Sequence, residues 1–314
     1  MYDLIGDIHG YATELKALLT KMNYREIDGV WQHPKRTVIF LGDFVDKGPE
    51  QLEVIRIAKA MVEKGKAMAV MGNHEFNAVL WATKDTKNPG GDSHLRAHSS
   101  KNLDQHREFL EQVGEDTDLH SKVIDWFKTL PLYLNMEEFR VVHACWHPDY
   151  LQVIDRHTDD QNCIKAESWT ESAKKGSELF DAVEILLKGL EVKLPNGFQF
   201  LDQYGHSRSK IRTQWWRSGD DLTCKDVALA PVSIIKQLPH EKIGANVLPG
   251  YDCLKPVFVG HYWMSGTPAL LTEHVACLDY SVAGDRNGKL CAYRWDGEER
   301  LDEDKFCHVN RVTA

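Results

Sequence analysis

Two observations on this sequence predict an α/β fold, a sheet with helices packed outside it. Three times in the first 82 residues, a strand-like segment runs into a glycine-flanked polar turn and then into helically spaced apolar residues. The turns are Gly6-Asp7-Ile8-His9-Gly10, Gly42-Asp43-Phe44-Val45-Asp46-Lys47-Gly48 and Gly72-Asn73-His74-Glu75. The runs ahead of the second and third turns are apolar without alternation, as expected of strands covered on both faces. Ligands of such sheets gather beyond the carboxyl ends of the strands, so the three turns are expected side by side in space.

The elements follow in order. Tyr2-Asp3-Leu4-Ile5 precedes the first turn, and Leu15, Leu18, Leu19 and Met22 after it have the i, i+3, i+4, i+7 spacing of a helix. Asp28-Gly29 and His33-Pro34 mark a turn before the strand Thr37-Val38-Ile39-Phe40-Leu41. A second helix carries Ile55, Ala58, Met61 and Val62 inward, and the strand 67–71 leads to a third helix with Phe76, Val79 and Leu80. Residues 84–104 are rich in Asp, Asn, Gly, Ser and His and read as a surface loop. Helical stretches follow at 104–113 and 119–129, then a strand pair at 132–134 and 139–142 ending in His143-Ala144-Cys145.

From about 150 to 250 the chain is more polar, with one amphipathic helix at 178–190, a turn at Pro195-Asn196-Gly197 and the pair Trp215-Trp216. We read this stretch as an inserted cap or lid within one domain spanning 1–314. Strands then return at 256–259, ending in Gly260-His261, and at 275–280 and 289–295, the last two joined across 284–288 in a hairpin.

Composition bounds the function. Hydrophobic residues make up 42% and charged residues 27%, as in an ordinary globular protein. The net charge of −9 and the lack of a basic run disfavour a nucleic-acid or anionic-membrane partner. No secretory leader and no apolar run long enough to span a bilayer are visible. The seven cysteines are odd in number and scattered without a Cys-x-x-Cys, which fits reduced thiols and a cytoplasmic setting.

Five strand ends therefore carry polar groups: Asp7 with His9, Asp43 with Asp46, Asn73 with His74, His143, and His261. Taken singly, each also fits a turn residue or a buried histidine. Together, mixed Asp, His and Asn donors without cysteine suit Mn²⁺, Fe or Zn²⁺ better than a structural zinc site. A central carboxylate can bridge two ions. His94, His98, His106, His120, His147 and His157 lack strand-end context and read as surface or structural.

Gly-Asp-Ile-His-Gly, Gly-Asp-Phe-Val-Asp-Lys-Gly and Gly-Asn-His-Glu, in that order, resemble the calcineurin-like metallophosphoesterase superfamily. The branch they resemble is the phosphoprotein phosphatase type, which includes bacterial Ser/Thr phosphatases and diadenosine tetraphosphatases. Leu-Pro-Leu-Tyr-Leu, Val-Val-His-Ala, Gly-His-Tyr-Trp and Leu-Asp-Tyr-Ser extend the match over 1–148 and 255–296. The resemblance implies a four-layer αββα sandwich of two mixed sheets, with the insertion as a lid. It also implies two divalent metal ions, Mn²⁺ first, with Fe or Zn²⁺ as alternatives. Asp7 and His9 would hold one ion, Asp43 would bridge, and Asn73, His143 and His261 would complete the site. His74 would protonate the leaving group, oriented by Asp46.

The match departs from the family in two places. His-Ala-Cys stands at His143 where His-Ala-Gly or His-Gly-Gly is usual, and Lys47 stands where the family places an arginine that grips phosphate. Lysine keeps the charge and loses the planar fork. Lys47 is thus either a phosphate contact or a solvated lysine. Arg217, with Arg212 and Arg208 as competitors, is the candidate compensating group, beside Asn73 and Lys47 in phosphate binding. Buried packing is the expected role of Trp215-Trp216, over a base-stacking platform.

The function expected is hydrolysis of phosphate monoesters, in phosphoproteins or small esters, by a metal-bridging hydroxide. A symmetrical dinucleoside polyphosphate hydrolase is the rival. An inactive metal-binding interaction module is the reading of another class, and it requires a missing ligand that the sequence does not show. Substrate, native metal pair and oligomeric state are not encoded in any motif.

Overall fold

The computed structural model describes all residues except 86–93, 202–206, 245–246, 285–286 and 313–314. Two mixed sheets form the centre. The first has six strands, in the order Asp279–Tyr280, Lys289–Trp295, Tyr2–Ile5, Thr37–Phe40 and Ala67–Ala69, with Phe306–Asn310 also on Lys289–Trp295. Tyr2–Ile5, Thr37–Phe40 and Ala67–Ala69 run parallel. The second has four strands, in the order Val275–Cys277, Val257–Val259, Arg140–Val142 and Tyr133–Asn135, the first three parallel.

The strand pleat sorts side chains between two cores. Leu4, Ile39, Cys291, Tyr293 and Trp295 of the first sheet share one cluster with Val141, Phe258 and Ala276 of the second. Their neighbours in sequence, Ile5, Val38, Phe40, Val142, Val257 and Val259, face outward into a cluster with the helices. Period-two alternation in strands buried on both faces therefore yields a helix–sheet–sheet–helix sandwich, the fold class expected. The helices Ala12–Lys21 and Gln51–Glu63 bury Leu15, Leu18, Leu19 and Val54, Ile55, Ala58, Met61.

Several elements differ from expectation. The segment 275–280 is two strands, because the chain leaves the second sheet at Cys277 and joins the first at Asp279. Gly6 makes the crossing possible: a Cβ there would sit 2.1 Å from the Leu278 carbonyl oxygen. The turn at Asp28-Gly29 closes a small hairpin of Arg25–Ile27 and Val30–Gln32. The helix Pro148–His157 and the strand Phe306–Asn310 have no counterpart in the sequence reading. The fourth helix starts at Ser100, inside the expected loop of 84–104, and residues 86–93 of that loop lie outside the described residues. The hairpin connection at 284–288 likewise includes 285–286.

The stretch 150–250 is not uniform. The helices Pro148–His157 and Glu178–Lys188 pack into the main core through Leu151, Ile154, Leu179, Val183 and Leu186. A separate small cluster of Val192, Leu194, Ile211, Cys224, Ala228 and Leu238 holds the later part. Trp215 and Trp216 leave that cluster and are buried in the main core. No described helix is long and apolar enough to cross a membrane.

Candidate metal centre

The polar turns converge at the carboxyl ends of the parallel strands of both sheets, where the connections are tightest. His9, Asp43, Asp46 and His261 all take left-handed backbone, with φ of 51°, 51°, 65° and 68°. Glycines let the turns touch: a Cβ on Gly72 would lie 2.2 Å from Asp43 Oδ1, and one on Gly260 would lie 2.1 Å from Asp7 Oδ1.

Asp43 is central. Its Oδ2 lies 3.7 Å from His9 Nε2, 3.4 Å from His143 Nε2 and 3.8 Å from His74 Nε2. Two overlapping donor groups result, His9–Asp43–His74 and Asp43–His143–His261, sharing Asp43. Asn73 Oδ1 is 3.3 Å from His143 Nε2. Asp7 is buried at the same place, with both carboxylate oxygens accepting the His261 backbone N–H, at 3.2 and 3.0 Å. The six residues proposed as ligands from sequence are thus together and buried.

The histidine rings are held by their far nitrogens. His9 Nδ1 donates to the Val45 carbonyl at 2.9 Å, and His143 Nδ1 to the Leu41 carbonyl at 2.7 Å. This turns each Nε2 towards Asp43, the arrangement by which an outer hydrogen bond orients a metal-binding imidazole. His9 Nε2 and His261 Nε2 are buried without a hydrogen-bond partner. Burial is costly for a polar nitrogen left unpaired. Two unpaired imidazole nitrogens around a shared carboxylate fit a pair of divalent cations.

The electrostatics agree. Burial, helped by His74, lowers His9 to about 4, and burial pushes His261 well below its ordinary value, so both keep a free lone pair. Burial pushes Asp7 well up, with Asp279 adding to the effect. Burial also opposes ionisation of Asp43, but His143 and His74 outweigh it and hold that carboxyl well down. His143 goes the other way, to about 10, because Asp43 overcomes the cost of burial. The carboxylate thus draws positive charge to the position where cations would compete for it.

His74 differs from the other histidines of the cluster. It is part-exposed at the start of the helix Asn73–Ala82, and its backbone N–H donates to Asp43 Oδ1 at 3.0 Å. Its Nδ1 lies 2.5 Å from Asp46 Oδ2. Burial disfavours its protonation, yet Asp43 and Asp46 prevail and raise it above the ordinary histidine value.

Three supporting residues were not given roles from sequence. Glu75 accepts the backbone N–H groups of Asp43 at 2.8 Å, Phe44 at 2.8 Å and Gly72 at 3.0 Å. Asp279 accepts the N–H of Trp263 at 2.7 Å and of Ser281 at 2.9 Å, bracing the turn that carries His261. Both stand in motifs quoted above, so the signal was present without its meaning. His106, read as surface or structural, is buried, and its Nδ1 donates to Asp46 Oδ1 at 2.8 Å. No sequence pattern marks it, because its helix lies outside the three turns.

The phosphate-binding candidates separate. Lys47 is exposed beside Asp46. Arg217 is exposed and donates to the Asp226 carbonyl within the insertion. Arg212 lies beside the turn that carries His261: its guanidinium is 5.8 Å from the Tyr262 ring, and its Nε is buried without a partner. It also adds to the depression of His261, after burial. Trp215 is fully buried and donates to the Ala144 carbonyl at 3.0 Å, next to His143.

A two-sheet sandwich with an Asp/His/Asn cluster at its strand ends defines a metallophosphoesterase type of site, and residues 2–261 match the calcineurin-like phosphoesterase family. The chain belongs to this family of metal-dependent hydrolases. Among curated proteins it is similar to the asymmetrical bis(5'-nucleosyl)-tetraphosphatase PrpE of Bacillus subtilis. The identity is 33% over 164 residues, covering 51% of this chain and 63% of that protein. The PrpE protein of Oceanobacillus iheyensis is 29% identical over 143 residues, covering 45% and 54%. The chain therefore spans about half the length of the curated relatives it matches. A solved cold-active protein-tyrosine phosphatase of a Shewanella species aligns with TM-score 0.49 at 16% identity, covering 93% of this chain and 74% of that one. A protein serine/threonine phosphatase of Saccharomyces cerevisiae aligns with TM-score 0.45 at 16% identity, covering 100% and 80%.

Proposed function

We propose that the chain is a metal-dependent phosphoesterase in which Asp7, His9, Asp43, Asn73, His143 and His261 hold two divalent cations, with Asp43 between them. The observation that carries this reading is the pair of unpaired buried nitrogens, His9 Nε2 and His261 Nε2, around one carboxylate. Bound divalent cations supply a water activated near neutral pH and neutralise phosphoryl oxygens. Mn²⁺ is the first choice, since mixed oxygen and imidazole donors suit it.

His74 is the acid in this scheme. Its Nδ1–H donates to Asp46, which stabilises the protonated ring, and its Nε2 proton goes to the departing oxygen. Its raised proton affinity separates it from His9 and His261, which burial keeps neutral. Arg212 and Lys47 supply positive charge for the remaining phosphate oxygens, with Arg212 in the role first expected of Arg217. Residues 150–250 act as the cap over the site within one domain.

Phosphate monoesters, in phosphoproteins or small esters, are the substrates first proposed. Dinucleoside polyphosphates are the second reading; the tetraphosphatases among the relatives favour that substrate class, but they are named asymmetrical, not the symmetrical type expected from sequence. A panel of phosphopeptide, nucleotide, diadenosine tetraphosphate and p-nitrophenyl phosphate with Mn²⁺, compared by kcat/KM, separates them. Asp43→Asn is expected to abolish metal-dependent turnover on every member, and retained activity would refute the site.

A further inference from the structure

In the proposed acid scheme Asp46 accepts from His74 Nδ1, so what fixes its carboxylate matters. A carboxylate held by one hydrogen bond can still turn about its terminal torsion, which is broad and roughly two-fold. Here both oxygens are used. Oδ2 lies 2.5 Å from His74 Nδ1, and Oδ1 accepts from His106 Nδ1 at 2.8 Å. The Asp46 backbone is fixed separately, its N–H donating to Gln51 Oε1 at 2.8 Å. His106 comes from the helix Ser100–Val113, far in sequence from the turns. Its ring is itself held, stacked on Phe109 at 4.7 Å and lying 6.1 Å from Trp81. Asp46, His74 and His106 all line one small cavity, with Asn77, Arg96 and Gln105.

We propose that His106 is a positioning residue: by anchoring Asp46 Oδ1 it fixes the plane of the carboxylate, and so the ring of His74 that protonates the leaving group. The proposal rests on the acid role of His74. Packing alone would explain a buried ring, but it does not require Nδ1 to meet the one carboxylate oxygen that His74 leaves free.

The test is the dependence of kcat on leaving group, measured with phenyl phosphate and p-nitrophenyl phosphate. A good leaving group hardly needs the proton, so loss of positioning shows on the poor one. His106→Phe keeps a ring and removes the donor. It is expected to lower kcat about tenfold on phenyl phosphate and no more than about twofold on p-nitrophenyl phosphate, with KM little changed. His106→Asn, whose amide nitrogen overlays Nδ1, is expected to restore most of the loss. Should the Phe variant not fold, His106→Gln serves, because its amide overlays Nε2 and misses Asp46. Equal losses on both substrates, or no recovery in the Asn variant, would overturn the proposal. His74→Asn is measured alongside. If it too loses equally on both, the acid role fails; if it discriminates and His106→Phe does not, only the His106 proposal fails.

Discussion

At the scale of single residues, the informative property is which nitrogen or oxygen remains uncommitted. His9 and His143 each give Nδ1 to a backbone carbonyl, which leaves Nε2 facing Asp43. Arg217 has its guanidinium on a carbonyl of the insertion, while Arg212 keeps a buried Nε without a partner beside the His261 turn. Arg212→Ala is therefore expected to raise KM for phosphate esters about tenfold, the order of a charge-assisted hydrogen bond lost. Arg217→Ala is expected to leave KM within about twofold, as exposed charges usually do. Steady-state kinetics on p-nitrophenyl phosphate decides; the reverse order would restore Arg217 to the site.

At the scale of elements, the turns are built by neighbouring elements and not by their own sequences alone. Glu75, in the first turn of the helix Asn73–Ala82, accepts three buried N–H groups from two different turns. Glu75→Gln leaves one acceptor oxygen for this task and sets an amide N–H₂ against donors. A loss of about 2 kcal/mol in urea unfolding is expected, with weaker Mn²⁺ binding by calorimetry. Unchanged metal affinity would mean that the Asp43 turn holds its shape unaided.

The same point explains what the sequence could and could not convey. The strands and their polar ends were readable because burial on both faces leaves an unbroken apolar run, and glycine marks each close approach. The split of 275–280 was not, since an apolar run looks alike whether it stays in one sheet or crosses to another. His106 was invisible for a related reason: its role depends on a helix packing against the turns, a contact with no local spacing.

At the scale of the whole molecule, the site is a seam. Asp7, His9 and Asp43 follow strands of the first sheet, and His143 and His261 follow strands of the second. Cations bound there would tie the two sheets together, so binding and folding are linked. Free Mn²⁺ at a hundredfold excess over Kd is expected to add about 2.7 kcal/mol for each ion bound, read as a rise in Tm over chelator-treated protein. No shift would mean that the folded chain binds Mn²⁺ no better than the unfolded chain does, and would count against the metal centre. The insertion meets the seam through Trp215, which donates to the Ala144 carbonyl, through Leu186, whose carbonyl accepts the Ala144 N–H at 2.9 Å, and through Arg212 beside Tyr262, while its own small cluster stays apart.

The left-handed backbone at His9, Asp43, Asp46 and His261 has a consequence for how this chain can vary. Among residues other than glycine, Asp, Asn and His enter that conformation most readily. Nearly the same short set of side chains supplies hard and borderline donors to a divalent ion. Both demands fall on one codon at positions 9, 43 and 261, so they narrow the choice together. Glutamate at position 43 would keep the charge, yet it would lengthen the reach and lose the backbone preference in one step. Redesign of this centre for another metal therefore begins with the turns, and only then with the donors.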